Sequence, residues 1–249
     1  MSHIRGRDIA EYVQSHIDDF HKSRLLKLRE LKLEEVLKRK NPYLFKAKNI
    51  STSETLVRSI VDAYLSSQEE GLFGAFLEGL AIFICGKVYG GWKSSTEGID
   101  LELDRERVRY IVVIKSGPHW GNSSQIKAMK RDFQKAKRIL QTNTPSGIQV
   151  IAVNGCCYGT DRRPDKGEYV KLCGERFWSF ISGEDNLYVD IIEPLGHRAK
   201  ERNDDFMREY SKVLNVFTRD FTLAYCTEDG AIAWDRIVKL VSRSDQRTQ

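Results

Sequence analysis

No C-x-x-C pair occurs in the chain, and its five cysteines (Cys85, Cys156, Cys157, Cys173 and Cys226) make an odd set. That pattern argues against a zinc knuckle or a disulfide framework and fits a reducing cytoplasm. The opening "MSHIRGRDIAEYVQSH" lacks an apolar secretory core, and no run approaches the ~18 uninterrupted apolar residues that a bilayer span needs. A soluble, cytoplasmic protein without a membrane partner is the expectation. Internal repeats, low-complexity tracts, a Walker loop, a dinucleotide glycine pattern and a Ser-His-Asp constellation are all missing. So is a strong charge of one sign: 40 Lys+Arg against 35 Asp+Glu leave a net charge of +5. Such a balance permits a polyanionic partner without demanding one, so the placement of the charges matters more than their sum.

What is present suffices for a proper core. At 249 residues and 41% apolar content the chain fits one large domain or two small ones. From Arg7 to Lys40, apolar residues at helical spacing (Ile9, Tyr12, Val13, Ile17, Phe20, then Leu25, Leu28, Leu31) predict one or two amphipathic helices. "NPYLFKAKN" interrupts them, because Pro42 disfavours a helical Asn41 and lacks an amide donor. Ser51 and Glu54 stand at capping-box spacing and predict a helix from about Thr52 to Ser66. "GLFGAFLEGLAIFICGKVYGG" reads as a separate buried helix ending near Gly86 or Gly90. A hairpin follows, with strands near Gly98–Asp104 and Val108–Lys115. Next come an amphipathic helix over "SSQIKAMKRDFQKAKRILQ" and a β-branched strand, "IQVIAVNG", of the kind found inside a covered sheet. "CCYGTDRRPDKGEYVKL" reads as a charged loop, "FWSF" as core, and the remainder as mainly helical. Helix, hairpin, helix and strand in that order describe a mixed central sheet flanked by helices, α/β in class, with further helices at both ends.

The hairpin "GIDLELDRERVRYIVVIKSGPHWGNSSQ" carries two charges where an apolar strand pair would not place them, Asp100 near its start and Lys115 at its end. Burying either one unpaired costs several kcal/mol or more. A turn at Arg105–Glu106 sets Asp100 opposite Ile111, and period-two alternation then projects Asp100, Glu102 and Lys115 to one side. The turn lacks Asn-Gly chemistry, so a slip by one residue would separate them. Two acids and a lysine suit metal-assisted phosphodiester cleavage. Mg2+ prefers a few carboxylates plus waters and phosphate oxygens, and a nearby ammonium stabilises charge building on phosphorus. An exposed salt bridge on a hairpin edge is the plainer alternative.

"GID" leading through a hairpin to "VVIKSG", a helix opening with Gln125, and the upstream "FGAFLEGLA" together resemble the PD-(D/E)XK nuclease core. "GERFWSFISGED" and "EDGAIAWDRIVKLV" resemble the tail of type II restriction endonucleases, in the subgroup that cuts interrupted palindromes of the RGGNCCY kind. The resemblance spans roughly Ser51 to Ser242. It implies a PD-(D/E)XK restriction-endonuclease-like core, a helical arm over 1–50, and a nuclease domain with a C-terminal helical extension over 51–249. It also places an acid two residues before the lysine, where this chain has Val113. Glu78, a lone charge in a long apolar helix, is the first substitute it suggests and Glu102 the second, each otherwise a plain structural acid. Gln125 would hydrogen-bond the attacking water or a phosphate, or is merely a first-turn helix residue.

By this resemblance, Asp100 and Glu78 hold Mg2+ with Lys115 beside the attacking water. Ser123 and Ser124 offer hydroxyls at a helix N-terminus, which also binds phosphate through free amides. Lys127, Lys130 and Arg131 would track phosphates. Arg162, Arg163, Lys166 and Lys171 lie in the charged loop, where paired arginines suit guanine in the major groove and a solvated loop is the alternative. The resemblance implies double-stranded DNA as substrate, a homodimer matching a palindromic site, and a cognate DNA methyltransferase in the same cell. Two competing functions are a catalytically silent DNA-binding protein of the same fold and a structure-selective repair or recombination nuclease.

Overall fold

The computed structural model describes residues 3–143 and 148–243. In chain order its elements are α1 (Gly6–Arg29), α2 (Leu33–Lys38), α3 (Pro42–Ala47), α4 (Ser53–Tyr89), β1 (Trp92–Lys93), β2 (Leu101–Arg105), β3 (Val108–Lys115), α5 (Ser123–Asn143), β4 (Gln149–Cys156), β5 (Val170–Cys173), α6 (Glu175–Ser182), α7 (Leu187–Asp190), α8 (Ile192–Leu195), α9 (Ala199–Tyr225) and α10 (Trp234–Ser242). They form two compact units, one of residues up to Asp18 with Phe73–His197, the other of Asp19–Leu72 with Arg198 onward.

The second unit is helical, and α9 supplies its spine. Phe206, Tyr210, Leu214, Phe217, Phe221 and Tyr225 recur at steps of four and three, so all six fall on one helix face and are buried. They pack with Leu28, Val36, Leu37, Leu56, Val57, Ile60 and Ile237 in one apolar cluster. Each such fully buried side chain stabilises by ~1.5–3 kcal/mol relative to exposure. At its edge the Tyr210 hydroxyl donates to the exposed Asp62 at 2.6 Å, and the Arg24 guanidinium lies 3.5 Å from the centre of the Phe206 ring. Asn41 caps α3, accepting from the Tyr43 amide, with Pro42 in the first turn, where a missing amide donor costs nothing.

The first unit holds a five-stranded sheet in the order β1-β2-β3-β4-β5. The β1–β2 and β2–β3 pairs are antiparallel, and β3–β4 and β4–β5 are parallel. One face carries Ile111, Val113 and Ala152, which pack with Met129, Phe133 and Ala136 of α5. On the other, α6 brings Phe180 edge-on to Tyr110 and Phe177 so close to Gly155 that a Cβ there would lie 2.2 Å from the ring. This is the mixed α/β sheet flanked by helices that the element order implies.

Four local expectations give way. The two helices expected between Thr52 and Gly90 are one 37-residue helix, because Gly71 and Gly74 weaken a helix without breaking it and no proline intervenes. Thr52 rather than Ser51 caps it, its hydroxyl accepting from the Thr55 amide, while Glu54 pairs with Arg58. By length and composition α4 is also apolar enough to cross a bilayer, although Glu78 interrupts its apolar run. The hairpin turns at Glu106–Arg107, both at positive φ, so Glu102 and not Asp100 stands opposite Ile111. A displacement of two residues preserves the alternation, so the faces stay as expected. Finally, the charged loop ends in a strand, β5, and the two-residue β1 precedes the hairpin; strands this short carry too little periodicity to read.

Candidate active site

Lys115 ends β3, half-buried, with its ammonium 5.4 Å from the centre of the Trp120 ring. Trp120 is held in turn: its indole N–H donates to Asn154 Oδ1 at 3.1 Å, and Asn154 Nδ2 donates to the Val113 carbonyl at 3.3 Å. Asn154 is only 1% exposed and pairs with Val113 across the parallel β3–β4 ladder. A buried amide needs partners for both its ends, and here it has them. Asn154 escaped sequence reading because it sits inside an apolar strand, where that misfit was itself the available signal.

Asp100 precedes β2. Its amide donates to the Val112 carbonyl, and its Oδ2 accepts from the Ile114 amide at 2.7 Å. The carboxylate is thus fixed by β3 itself, one residue from the lysine. Its Oδ1 has no hydrogen-bond partner among the described residues.

Glu78 comes from α4. Burial pushes its carboxyl above the ordinary range, and the charge of Asp100 pushes the same way, while Lys93 and Lys115 pull it down. Glu78, Asp100 and Lys115 therefore share one electrostatic neighbourhood, and Lys93 joins them with Nζ 3.8 Å from Glu78 Oε1. Lys93 had no signal in the sequence, because the strand that carries it, β1, has two residues. Glu102 is 4% exposed and accepts the Ser94 hydroxyl at 2.7 Å, and it is not among the charges acting on Glu78. Among the described residues no group of three or more His, Cys, Asp or Glu stands close enough to hold a metal ion. The available set is two carboxylates that repel one another beside two ammonium groups.

Gln125 sits in the first turn of α5 within a reciprocal cap. Its Oε1 accepts from the Asn122 amide, and Asn122 Oδ1 accepts from the amides of Ser124 and Gln125. This is the capping-box arrangement with Asn and Gln as its members. Ser123, Ser124 and Lys127 are exposed on the same turn and the next. Lys130 pairs with Glu168 at 2.6 Å, and Arg131 lies 3.9 Å from Asp132 with most of its side chain in solvent.

In the segment before β5, Asp161 gathers two of the four cations. Lys166 reaches it at 3.0 Å and Lys171 at 3.8 Å, and Lys171 also donates to the Pro118 carbonyl at 2.8 Å. Burial works against the Asp161 charge, but the Lys166 ammonium and the Arg163 amide hold its carboxyl below the usual range. Lys166 and Lys171 thereby brace this segment, and Lys171 ties it to the loop after Lys115. Arg162 and Arg163 remain exposed. All five cysteines are free and buried, and burial pushes the Cys85 and Cys157 thiols up to about 12, so neither is a thiolate near neutral pH.

The mixed sheet flanked by helices is a restriction-endonuclease-like fold, and it carries a carboxylate anchored just before β2, a lysine ending β3 and a helix-borne acid in the same electrostatic field. The chain belongs to the family described as type II restriction endonuclease EcoO109I, whose family model matches residues 7–203. It is accordingly a type II site-specific DNA endonuclease with double-stranded DNA as substrate. A search of curated proteins gives no match.

Proposed function

We propose that this chain hydrolyses phosphodiester bonds at a short palindromic site in double-stranded DNA, requires Mg2+, and works through Asp100, Glu78 and Lys115 in a PD-(D/E)XK core. The observation that carries the reading is the half-buried Glu78, raised by burial and by Asp100, with Lys93 and Lys115 as its counter-charges. A carboxylate whose ionisation is disfavoured by burial and by a neighbouring carboxylate fits a divalent cation, which removes the repulsion. Mg2+ bound by Asp100 and Glu78 would supply a water of lowered pKa and a screen for the phosphate charge. Asp100, fixed by the Ile114 amide, presents Oδ1 in a set direction. Lys115, held at the strand end against Trp120, places a positive charge where the pentavalent phosphorus gathers negative charge. Gln125 commits its oxygen to the α5 cap, and its amide Nε2, without a partner among the described residues, would donate to a phosphate. Glu102, hydrogen-bonded to Ser94, supports β1 and β2 and is the reserve ligand. Ser123, Ser124, Lys127 and Arg131 line the first turns of α5 for phosphate contact.

A palindromic target is read by two-fold symmetric protein, so the working form is a homodimer, with a methyltransferase of the same specificity protecting cytoplasmic DNA. Val113, at the place of the usual second acid, favours one other reading, a DNA-binding protein that has lost its chemistry. Plasmid digestion in Mg2+ separates the two. The wild type should give discrete fragments that EDTA abolishes, and Asp100→Asn, Glu78→Gln and Lys115→Ala should each cut about 100-fold more slowly or worse. Gel shifts by the wild type with no cutting in any divalent ion would overturn the catalytic reading.

A further inference from the structure

Next to this cluster lies a cavity of about 670 Å³ at the C-terminal ends of β4 and β5, and none of the roles proposed for the catalytic residues uses it. Its walls include Tyr158, Arg162, Gly174, Glu175, Arg176 and Tyr188. The backbone ties it to the lysine: the Cys157 amide donates to the Lys115 carbonyl at 2.9 Å, and the Tyr158 amide to the Ser116 carbonyl at 3.0 Å. β4 is one strand away from β3 and β5 is two, so the cavity mouth opens roughly 5–10 Å from the end of the lysine strand.

The cavity is built rather than incidental. Gly174 and Gly159 both have positive φ, and a Cβ on Gly174 would lie 2.6 Å from the Gly159 carbonyl oxygen, so the two segments meet backbone to backbone. The Trp178 indole secures the wall from behind, donating to the Cys157 carbonyl at 2.8 Å. Arg162 and Arg176 are both exposed, and neither guanidinium has a hydrogen-bond or ion-pair partner among the described residues. Of the two acids in the lining, Asp161 already holds Lys166 and Lys171, which leaves Glu175 against two arginines. The free charge is therefore positive.

Resting on the nuclease reading above, we infer that this cavity grips a phosphodiester group of the DNA strand beside the scissile bond, with Arg162 and Arg176 as the paired donors. A guanidinium offers a planar fork that matches two phosphate oxygens. Base edges are read by side chains that protrude into a groove, whereas these two arginines line a recess into which a backbone phosphate fits. Tyr158 and Tyr188, both partly in solvent, supply flat walls for the adjoining sugar.

The test is anisotropy titration of two fluorescein-labelled 30-bp duplexes, one random and one carrying a sequence that the wild type cleaves in Mg2+, across a NaCl series without divalent ions. The variants are R162A/R176A and R162K/R176K, each checked by thermal melting. The alanine pair should weaken binding at least 10-fold near 0.15 M salt and reduce the salt slope by about two per bound subunit, since each phosphate contact contributes about 0.9. The lysine pair should restore most of the slope. A double-alanine variant with wild-type slope and affinity overturns the inference, as does a loss confined to the cleavable sequence with the slope unchanged. Because the measurement needs no cutting, a wild type that binds but never cleaves would sink the catalytic reading while the slope still decides this one.

Discussion

At the scale of single residues, the molecule spends polar groups inside apolar surroundings in two different ways. Asn154 and Tyr210 are satisfied misfits. Asn154 links Trp120 to the Val113 carbonyl, and Tyr210 donates to Asp62. Burial first, then the Asp62 hydrogen bond, raises the Tyr210 hydroxyl to about 12. The folded value lies above the unfolded value near 10. The stabilisation is therefore complete below pH ~10 and is lost as pH rises through about 12. Tyr210→Phe should lose about 1.5–3 kcal/mol in urea melts at pH 7, and the gap to the wild type should shrink between pH 10 and 12. Glu78 is the other kind, a carboxylate whose ionised form is disfavoured where it sits. Groups so perturbed collect at functional sites. Its oddness was legible in "AFLEGLA", as was that of Asp100 and Lys115 in the hairpin. Lys93 was not, because nothing within a two-residue strand distinguishes a site cation from a solvated one.

At the scale of elements, alternation and helical spacing carried most of the content. β3 runs over Val108–Lys115 and α5 opens at Ser123, both where the pattern puts them, because period-two and 3.6-residue repeats are properties of the chain itself. The turn between β2 and β3 is another matter. Glu106 and Arg107 occupy positive φ of 51° and 62°, a conformation that side chains with a Cβ resist and that Asn-Gly adopts readily. Cross-strand pairing and the buried residues Leu101, Leu103, Ile111 and Val112 impose it. Installing the Asn-Gly dipeptide at this turn (Glu106→Asn with Arg107→Gly) should raise stability by about 1 kcal/mol or more, seen as a higher melting temperature with unchanged cleavage. A lower melting temperature would show that the charged side chains contribute more than the strain costs. Lys166 and Lys171 follow the same logic. In the sequence they belong to a basic loop, whereas in the fold Asp161 and the Pro118 carbonyl have already claimed them.

For the whole molecule, composition alone left the partner open, since a net charge of +5 neither requires nor excludes DNA. The family match over residues 7–203 supplies it. Reading a palindrome with one chain per half-site predicts a particle of twice the chain mass in sedimentation equilibrium at micromolar concentration. Sedimentation as a single chain, both alone and on a site-bearing duplex, would count against the two-fold arrangement.

What the amino-acid order determined by itself was the longer elements, β3 and α5 among them, and the acid and lysine of the hairpin, because backbone periodicity and the cost of burying charge act locally. What only the tertiary structure decided was company. It brought Glu78 and Lys93 into the field of Asp100 and Lys115, used Lys171 to brace a loop, and left Arg162 and Arg176 in one cavity, unpaired among the described residues. Those outcomes depend on through-space contacts between segments far apart in the chain, and no local spacing encodes them.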